Sequence, residues 1–248
     1  MTANIIGLIP ARYASTRFPA KPLVDIGGKS MIQRVYEQAK KSIYLSTVVV
    51  ATDHQEIYDH VKNFGGDVCM TREDHISGTD RCYEALTLQP KSYEYVINIQ
   101  GDEPFIQPEQ IDLLATVLTG KTEIATLVKA IDQSEQLFNP NVVKAVVGKN
   151  YEALYFSRSP IPFLRNIDES QWVSKHTFFK HIGMYAYRAD VLTQLTKLNP
   201  SILEKAESLE QLRWLENDFK ILAVQTLIES FGIDTPEDLE QAIERLKQ

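Results

Sequence analysis

Short apolar runs alternate with amphipathic stretches through the first half of the chain, and their periods separate strand from helix. Residues 4–10 are mostly apolar and of strand length. Residues 47–52 (TVVVAT) are β-branched and apolar throughout, the pattern of a parallel strand buried on both faces. Between them, Met31, Ile32, Val35, Tyr36 and Ala39 recur at helical spacing, which predicts a helix over 30–41. The same reasoning predicts a helix over 54–63, ended by Gly65-Gly66, and a short strand over 67–70. A helix over 78–88 and a strand over 95–99 follow. A helix over 108–118 has Pro108 in its first turn, and 124–130 is a strand.

The second half has a different texture. Strands are expected over 142–147 and 153–157. RSPIPF (158–163) carries two prolines and cannot be regular. FFKHIGMYAYR (178–188) alternates like a strand and is rich in aromatics. Helices over 188–197 and 209–217 and a strand over 221–226 come next. Thr235-Pro236-Glu237-Asp238 opens a terminal helix with a cap, a first-turn proline and early acids. This half reads as a β-rich insertion, over about 135–190, that pairs subunits and precedes a return to the sheet.

Strand–helix alternation at this density predicts an α/β fold with a doubly wound, mixed but mostly parallel sheet. In such sheets ligands bind beyond the carboxyl ends of the strands. The segments to examine are therefore 10–21, 52–54 and 100–103. The length of 248 residues suits one α/β domain carrying an insertion, and 44% hydrophobic residues supply a full core. A formal net charge of −7 argues against nucleic acid or an acidic membrane as partner. Cys69 and Cys82 fit no zinc or redox spacing and read as reduced thiols. No signal-peptide pattern opens the chain, and no apolar run nears the ~20 residues needed to span a bilayer, so a cytoplasmic protein is expected.

Against that acidic background, LIPARYASTRFPAKPL (8–23) concentrates Arg12, Arg17 and Lys21 with Ser15 and Thr16 directly after a buried strand. Three cations and several small donors held by turns suit a small polyanion; a surface loop with solvated charges is the plainer alternative. GxxxxGK[ST] and GxGxxG are both absent, which excludes a P-loop and a dinucleotide fingerprint. VINIQGDEPFI (96–106) delivers Gln100, Gly101, Asp102 and Glu103 to the ligand edge, where a carboxylate is placed to hold Mg²⁺ and Gly101 allows close approach of a ligand. An ordinary turn before Pro108 is the alternative there. Asp234, in GIDTP (232–236), could cap the terminal helix or supply a second metal carboxylate.

Eight blocks, in order along nearly the whole chain, resemble the 3-deoxy-manno-octulosonate cytidylyltransferases, or CMP-Kdo synthetases. They are IPARYASTRFPAKPL (9–23), VVVATDHQEI (48–57), EDHISGTDR (73–81), INIQGDEPFI (97–106), YFSRSPIPF (155–163), KHIGMYAYR (180–188), LEQLRWLEN (209–217) and GIDTPEDLE (232–240). Ala20 departs from the family's usual Gly, a change the loop tolerates if φ there is negative.

The resemblance implies a Rossmann-like, nucleotide-diphospho-sugar transferase fold and a single nucleotidyltransferase domain over 1–248. It implies that CTP and Kdo give CMP-Kdo and pyrophosphate, for lipopolysaccharide biosynthesis, with Mg²⁺ as cofactor and a homodimer built on the second-half strands. It implies a nucleotide site of Arg12, Ser15, Arg17, Lys21, Ser77, Gly78, Thr79, Arg81, Gln100 and Asp102. Lys21 and Arg12 would act in catalysis beside the metal ligands Asp102 and Asp234. Gln100, Arg158, His181, Tyr185, Glu210 and Gln211 would form the sugar site. The sugar residues of the second half also have plainer roles: Arg158 paired with an acid in the insertion, His181 as a hydrogen-bonded half-buried histidine, Tyr185 as core or dimer contact, Glu210 and Gln211 solvated on a helix. The alternatives are the same chemistry on 8-amino-Kdo or a sialic acid, or a non-catalytic nucleotide-sugar sensor.

Overall fold

The structure, a computed structural model, describes residues 3–14 and 18–246, and it forms two compact units, 1–116 with 230–248, and 117–229. In the first unit, β1 (Ile5–Ala11), α1 (Met31–Ala39), β2 (Leu45–Thr52), α2 (Gln55–Asn63), β3 (Val68–Met70), α3 (Gly78–Thr87), β4 (Tyr95–Asn98) and α4 (Pro108–Ala115) follow in order. β1 pairs in parallel with both β2 and β4, and β2 pairs in parallel with β3, giving the order β3-β2-β1-β4. Chain order reverses between β1 and β4, and that reversal is the switch point at which open α/β sheets bind ligands.

Local chemistry explains the element ends. The Ser30 side chain accepts from Gln33 N at 3.2 Å and starts α1. Ser77 does the same for α3 through Asp80 N. Ile6, Leu8, Ile9, Val50 and Ile97 are fully buried at the centre of this sheet, each worth roughly 1.5–3 kcal/mol of burial. The glycine expected to admit a ligand makes room for the protein itself. A Cβ on Gly101 would lie 2.7 Å from the Pro10 carbonyl oxygen, so only glycine lets the chain leave β4 so close to the end of β1.

The second unit contains β5 (Ile124–Ala130), α5 (Ser134–Phe138), β6 (Lys144–Val147), β7 (Ala153–Ser157), α6 (Trp172–Lys175), β8 (Phe179–Arg188), α7 (Ala189–Leu195), α8 (Ile202–Glu207), α9 (Gln211–Glu216) and β9 (Ile221–Gln225). β8 runs antiparallel to β5 and β6, β6 antiparallel to β7, and β9 parallel to β5. The register between β5 and β8 breaks at Thr126/Leu127, where the partners jump from Tyr185 to Ile182. Trp172 anchors a small cluster with Ile131, Leu137 and Phe178. The last helix, α10 (Pro236–Arg245), returns to the first unit, where Ile233 and Ala242 pack with Ile26 and Met31. Cys69 and Cys82 form no disulfide, and no helix among the described residues is long and apolar enough to cross a membrane.

The anticipated strands and longer helices are present with ends shifted by a few residues. The structure decides two points left open for the loop and its partners. Ala20 has φ 54°, in the left-handed region, not the negative φ that would make alanine as easy as glycine. The cap of α10 is Thr235, whose side chain accepts from Asp238 N at 3.2 Å, and not Asp234. Asp238 completes the cap by accepting from Thr235 N and Asp234 N, which leaves the Asp234 carboxylate for other work.

Candidate active site

A cleft of about 340 Å³ opens at the carboxyl ends of β1 and β4. Arg12, Lys21, Ser77, Gly78, Arg81, Gln100, Asp102 and Asp234 line it, together with Pro10, Ala11, Pro22, His75, Ile76 and Gly101. Eight of the expected residues thus share one wall-to-wall site. Thr79 is the exception, being 3% exposed and outside the lining. Ser15 and Arg17 lie outside the described residues. His75 and Ile76 belong to the EDHISGTDR block but carry no signal of their own beyond lying just before the α3 cap.

Lys21 is the centre of the cleft. It opens a short 3-10 turn, Lys21–Leu23, and its Nζ donates to Asp102 Oδ2 at 2.8 Å, Asp234 Oδ1 at 3.1 Å and the Ile233 carbonyl at 2.9 Å. The backbone reinforces this convergence, since Ile233 N donates to the Asp102 carbonyl at 3.0 Å. Two carboxylates far apart in sequence therefore stand within reach of one ammonium. The side chains of Lys21, Asp102 and Asp234 are 15%, 35% and 55% exposed, so the pair is open to solvent on one side, as a ligand site must be. Glu103 points elsewhere and accepts from the Ser230 hydroxyl at 3.0 Å. Burial, and then the neighbouring Asp102 charge, push its carboxyl up to about 7.

No cluster of three or more His, Cys, Asp or Glu residues suited to a metal exists among the described residues. Two carboxylates are nonetheless enough for Mg²⁺, which prefers hard oxygen donors and takes the rest from substrate phosphates and water. The way one cation already draws both Asp102 and Asp234 together is the observation that makes them a fitting pair.

Arg81 stands differently from the open cations. Its guanidinium is held by Asp53 Oδ2 at 2.7 Å, Thr71 Oγ1 at 2.6 Å and the Arg72 carbonyl at 3.2 Å. It contributes to the wall as a fixed, neutralised pair. His75 beside it makes a short hydrogen bond to Glu84.

The expected sugar residues other than Gln100 lie in the second unit, around the start of α9. Arg158 donates Nε to the Glu207 carbonyl at 2.7 Å, Nη1 to the Pro140 carbonyl at 3.1 Å and Nη2 to the Ser208 carbonyl at 3.4 Å. Its backbone N–H and the Ser157 hydroxyl both donate to the Glu207 carboxylate. This ties Arg158 to the α8–α9 turn that carries Glu210 and Gln211. Gln211 is 6% exposed, so it is not the solvated helix residue its type suggests. Glu210 is partly buried. His181 and Tyr185 flank the break in β8, with ring centroids 5.2 Å apart, and Tyr185 meets Trp214 of α9 edge-on at 5.0 Å.

The break also sets the state of His181. Thr126 Oγ1 lies 2.8 Å from the Met184 carbonyl and 3.0 Å from His181 Nε2. One hydroxyl proton goes to the carbonyl, so the assigned tautomer has Nε2–H donating to Thr126 and Nδ1 as acceptor. Burial drives the His181 pKa down to about 3, so the ring is neutral near pH 7. Burial raises the Tyr185 phenol well above its usual range, and its buried hydroxyl has no well-formed hydrogen bond within the protein. The site thus offers fixed neutral donors and acceptors, the inventory a polyhydroxylated ligand needs.

Cations and paired carboxylates beyond a 3-2-1-4 parallel sheet are the arrangement that nucleotide-polyphosphate chemistry of the nucleotidyltransferase class needs. Residues 6–221 match the family described as Cytidylyltransferase. Two relatives named 3-deoxy-manno-octulosonate cytidylyltransferase are 57% identical over 95% of each chain (Cytophaga hutchinsonii) and 58% identical over 97% of each (Parabacteroides distasonis). A solved CMP:2-keto-3-deoxy-manno-octonic acid synthetase complexed with CTP superposes with a TM-score of 0.92 at 42% identity over 99% of both chains. The 4-diphosphocytidyl-2C-methyl-D-erythritol synthase of Anaerococcus prevotii, at 13% identity and TM-score 0.65, shares the fold. The chain belongs to the cytidylyltransferase family and, within it, to the 3-deoxy-manno-octulosonate cytidylyltransferases.

Proposed function

We propose that this protein joins CTP to Kdo, giving CMP-Kdo and pyrophosphate. The observation that carries the reading is the contact of Lys21 with both Asp102 and Asp234 at the switch point of the sheet. Arg12 and Lys21 would bind the triphosphate and neutralise the charge that grows on the departing pyrophosphate. Arg17 and Ser15 of the same loop would add donors. Ser77 and Gly78, where α3 begins, would face the base and ribose with Arg81 and Thr79 behind them.

Asp102 and Asp234 would hold Mg²⁺, which when bound neutralises the α-phosphate and lowers the pKa of the attacking hydroxyl. Arg158 would pair with the sugar carboxylate through donors left over from its three carbonyl contacts. His181 Nδ1, the Tyr185 hydroxyl, Glu210, Gln211 and Gln100 would bind the sugar hydroxyls and aim the anomeric oxygen at the α-phosphorus. We also propose a cytoplasmic homodimer formed by the second-half strands, to be checked by light scattering after gel filtration.

The test is pyrophosphate release with each nucleoside triphosphate, with Kdo, 8-amino-Kdo and a sialic acid, and with Mg²⁺ or a chelator. Turnover with CTP and Kdo that needs Mg²⁺ supports the reading. Equal turnover without the metal removes Asp102 and Asp234 from it, and a preference for another sugar changes the acceptor.

A further inference from the structure

Asp53 directly follows β2 and has no part in the reaction set out above. The two oxygens of its carboxylate have different partners. Oδ2 accepts from Arg81 Nη2 at 2.7 Å, in an ion pair whose side chains are 4% and 7% exposed. Oδ1 accepts from the backbone N–H of Tyr13 at 3.3 Å. The same Tyr13 peptide receives the Ala20 N–H on its carbonyl at 3.1 Å, which holds Tyr13 and Ala20 together. The Tyr13 ring stacks on His54, with centroids 3.7 Å apart and planes at 17°. Arg12 immediately precedes this anchor and Lys21 immediately follows Ala20. Both line the cleft.

We infer that Asp53 is a positioning residue for the nucleotide site: locked in place by buried Arg81, it ties down the Tyr13 peptide and so sets where Arg12 and Lys21 stand. The inference rests on the reading of those two cations as the triphosphate clamp. A carboxylate is needed because both of its oxygens face donors. Asparagine has one oxygen and one NH₂, so it cannot accept from both Arg81 and Tyr13. The charged guanidinium would keep the oxygen, and the Tyr13 N–H would face another donor.

The experiment compares Asp53→Asn with Thr71→Val, which removes a different partner of Arg81 without touching Tyr13. In Asp53→Asn, amide exchange over residues 12–21 of the ligand-free protein should rise about tenfold. Its kcat/KM for CTP should fall about 100-fold, the scale of a 1 Å misplacement, with KM for the sugar acid within about twofold of wild type. Thr71→Val should keep both the exchange rates and the CTP kinetics within about threefold of wild type. Should Asp53→Asn fail to fold, the double variant Asp53→Ala with Arg81→Met, which leaves the Tyr13 N–H without its side-chain acceptor and buries no unpaired charge, carries the same expectation for loop exchange.

Unchanged exchange over 12–21, or an equal CTP defect in Thr71→Val, overturns the inference. Unimpaired CTP use in folded Asp53→Asn also overturns it when Arg12→Ala is impaired. If Arg12→Ala is unimpaired as well, the clamp reading itself has failed, and the inference falls with it.

Discussion

The cleft of the first unit and the aromatic group of the second solve opposite electrostatic problems. Around Lys21 every close polar partner is a carboxylate or a carbonyl, and the buried Arg81 has Asp53 as its counter-charge. Around His181 the groups are neutral: an imidazole held unprotonated, a phenol held protonated, and a threonine hydroxyl joining the two sides of a strand break. Of the two charged residues expected there, Arg158 is held chiefly by backbone carbonyls, and Glu210 is partly buried and close enough to help raise the Tyr185 phenol. On the proposed function, the difference follows from what each region would hold. A polyphosphate needs cations kept in place against their own repulsion, and carboxylates do that. A sugar with many hydroxyls needs dipoles of fixed direction, which packing and burial supply.

The contrast can be broken most severely at Asp102. Asp102→Asn should lower turnover by about 10²–10³-fold, measured by pyrophosphate release. Its thermal midpoint should stay near wild type, because the side chain is 35% exposed and Lys21 keeps Asp234. Gly101→Ala should act on stability instead. Its new Cβ meets the Pro10 carbonyl at 2.7 Å, and a backbone shift of that kind costs about 1–3 kcal/mol in urea unfolding.

In the second unit the test is pH. The folded pKa of His181, about 3, lies below the ordinary value of 6.5. Between those values the unfolded chain binds the extra proton, so stability falls as pH drops through that window and is fully present above 6.5. His181→Gln should flatten this part of the acid limb when thermal midpoints are followed from pH 7 to pH 4, while leaving the midpoint's pH dependence above 7 unchanged. The smallest effect is expected at Ala20. Ala20→Gly relieves a left-handed alanine at φ 54° and should raise stability by about 0.5–1 kcal/mol, seen as a rise of roughly 1–4 °C in Tm.

Much of the fold was legible because strands and long helices announce themselves locally. β5 runs over Ile124–Ala130 and β7 over Ala153–Ser157, as their apolar patterns require. The short helices Ser134–Phe138, Trp172–Lys175 and Ile202–Glu207 were not legible, since each buries at most one residue and so shows no apolar helical period. In the site, Arg12, Lys21, Gln100 and Asp102 could be picked out because each follows a buried strand. Asp234 stood next to the expected cap of the terminal helix, and only the contact of its carboxylate with Lys21 separated it from that role. Nothing local marks Asp53 as the partner of both Arg81 and the Tyr13 peptide, because 28 and 40 residues separate the contacts.

What the sequence by itself determined is the succession of elements, the place of the cationic loop after the first strand, and the kind of chemistry that loop and the acids can do. Those depend on side-chain period and turn residues, which act over a few positions. The tertiary structure alone decided that residues 21, 102 and 234 meet, that Ala20 is left-handed, and that His181 is neutral. Pairing strands in the order 3-2-1-4 brings remote loop ends to one edge, and burying a group in that packing, more than its identity, sets its charge.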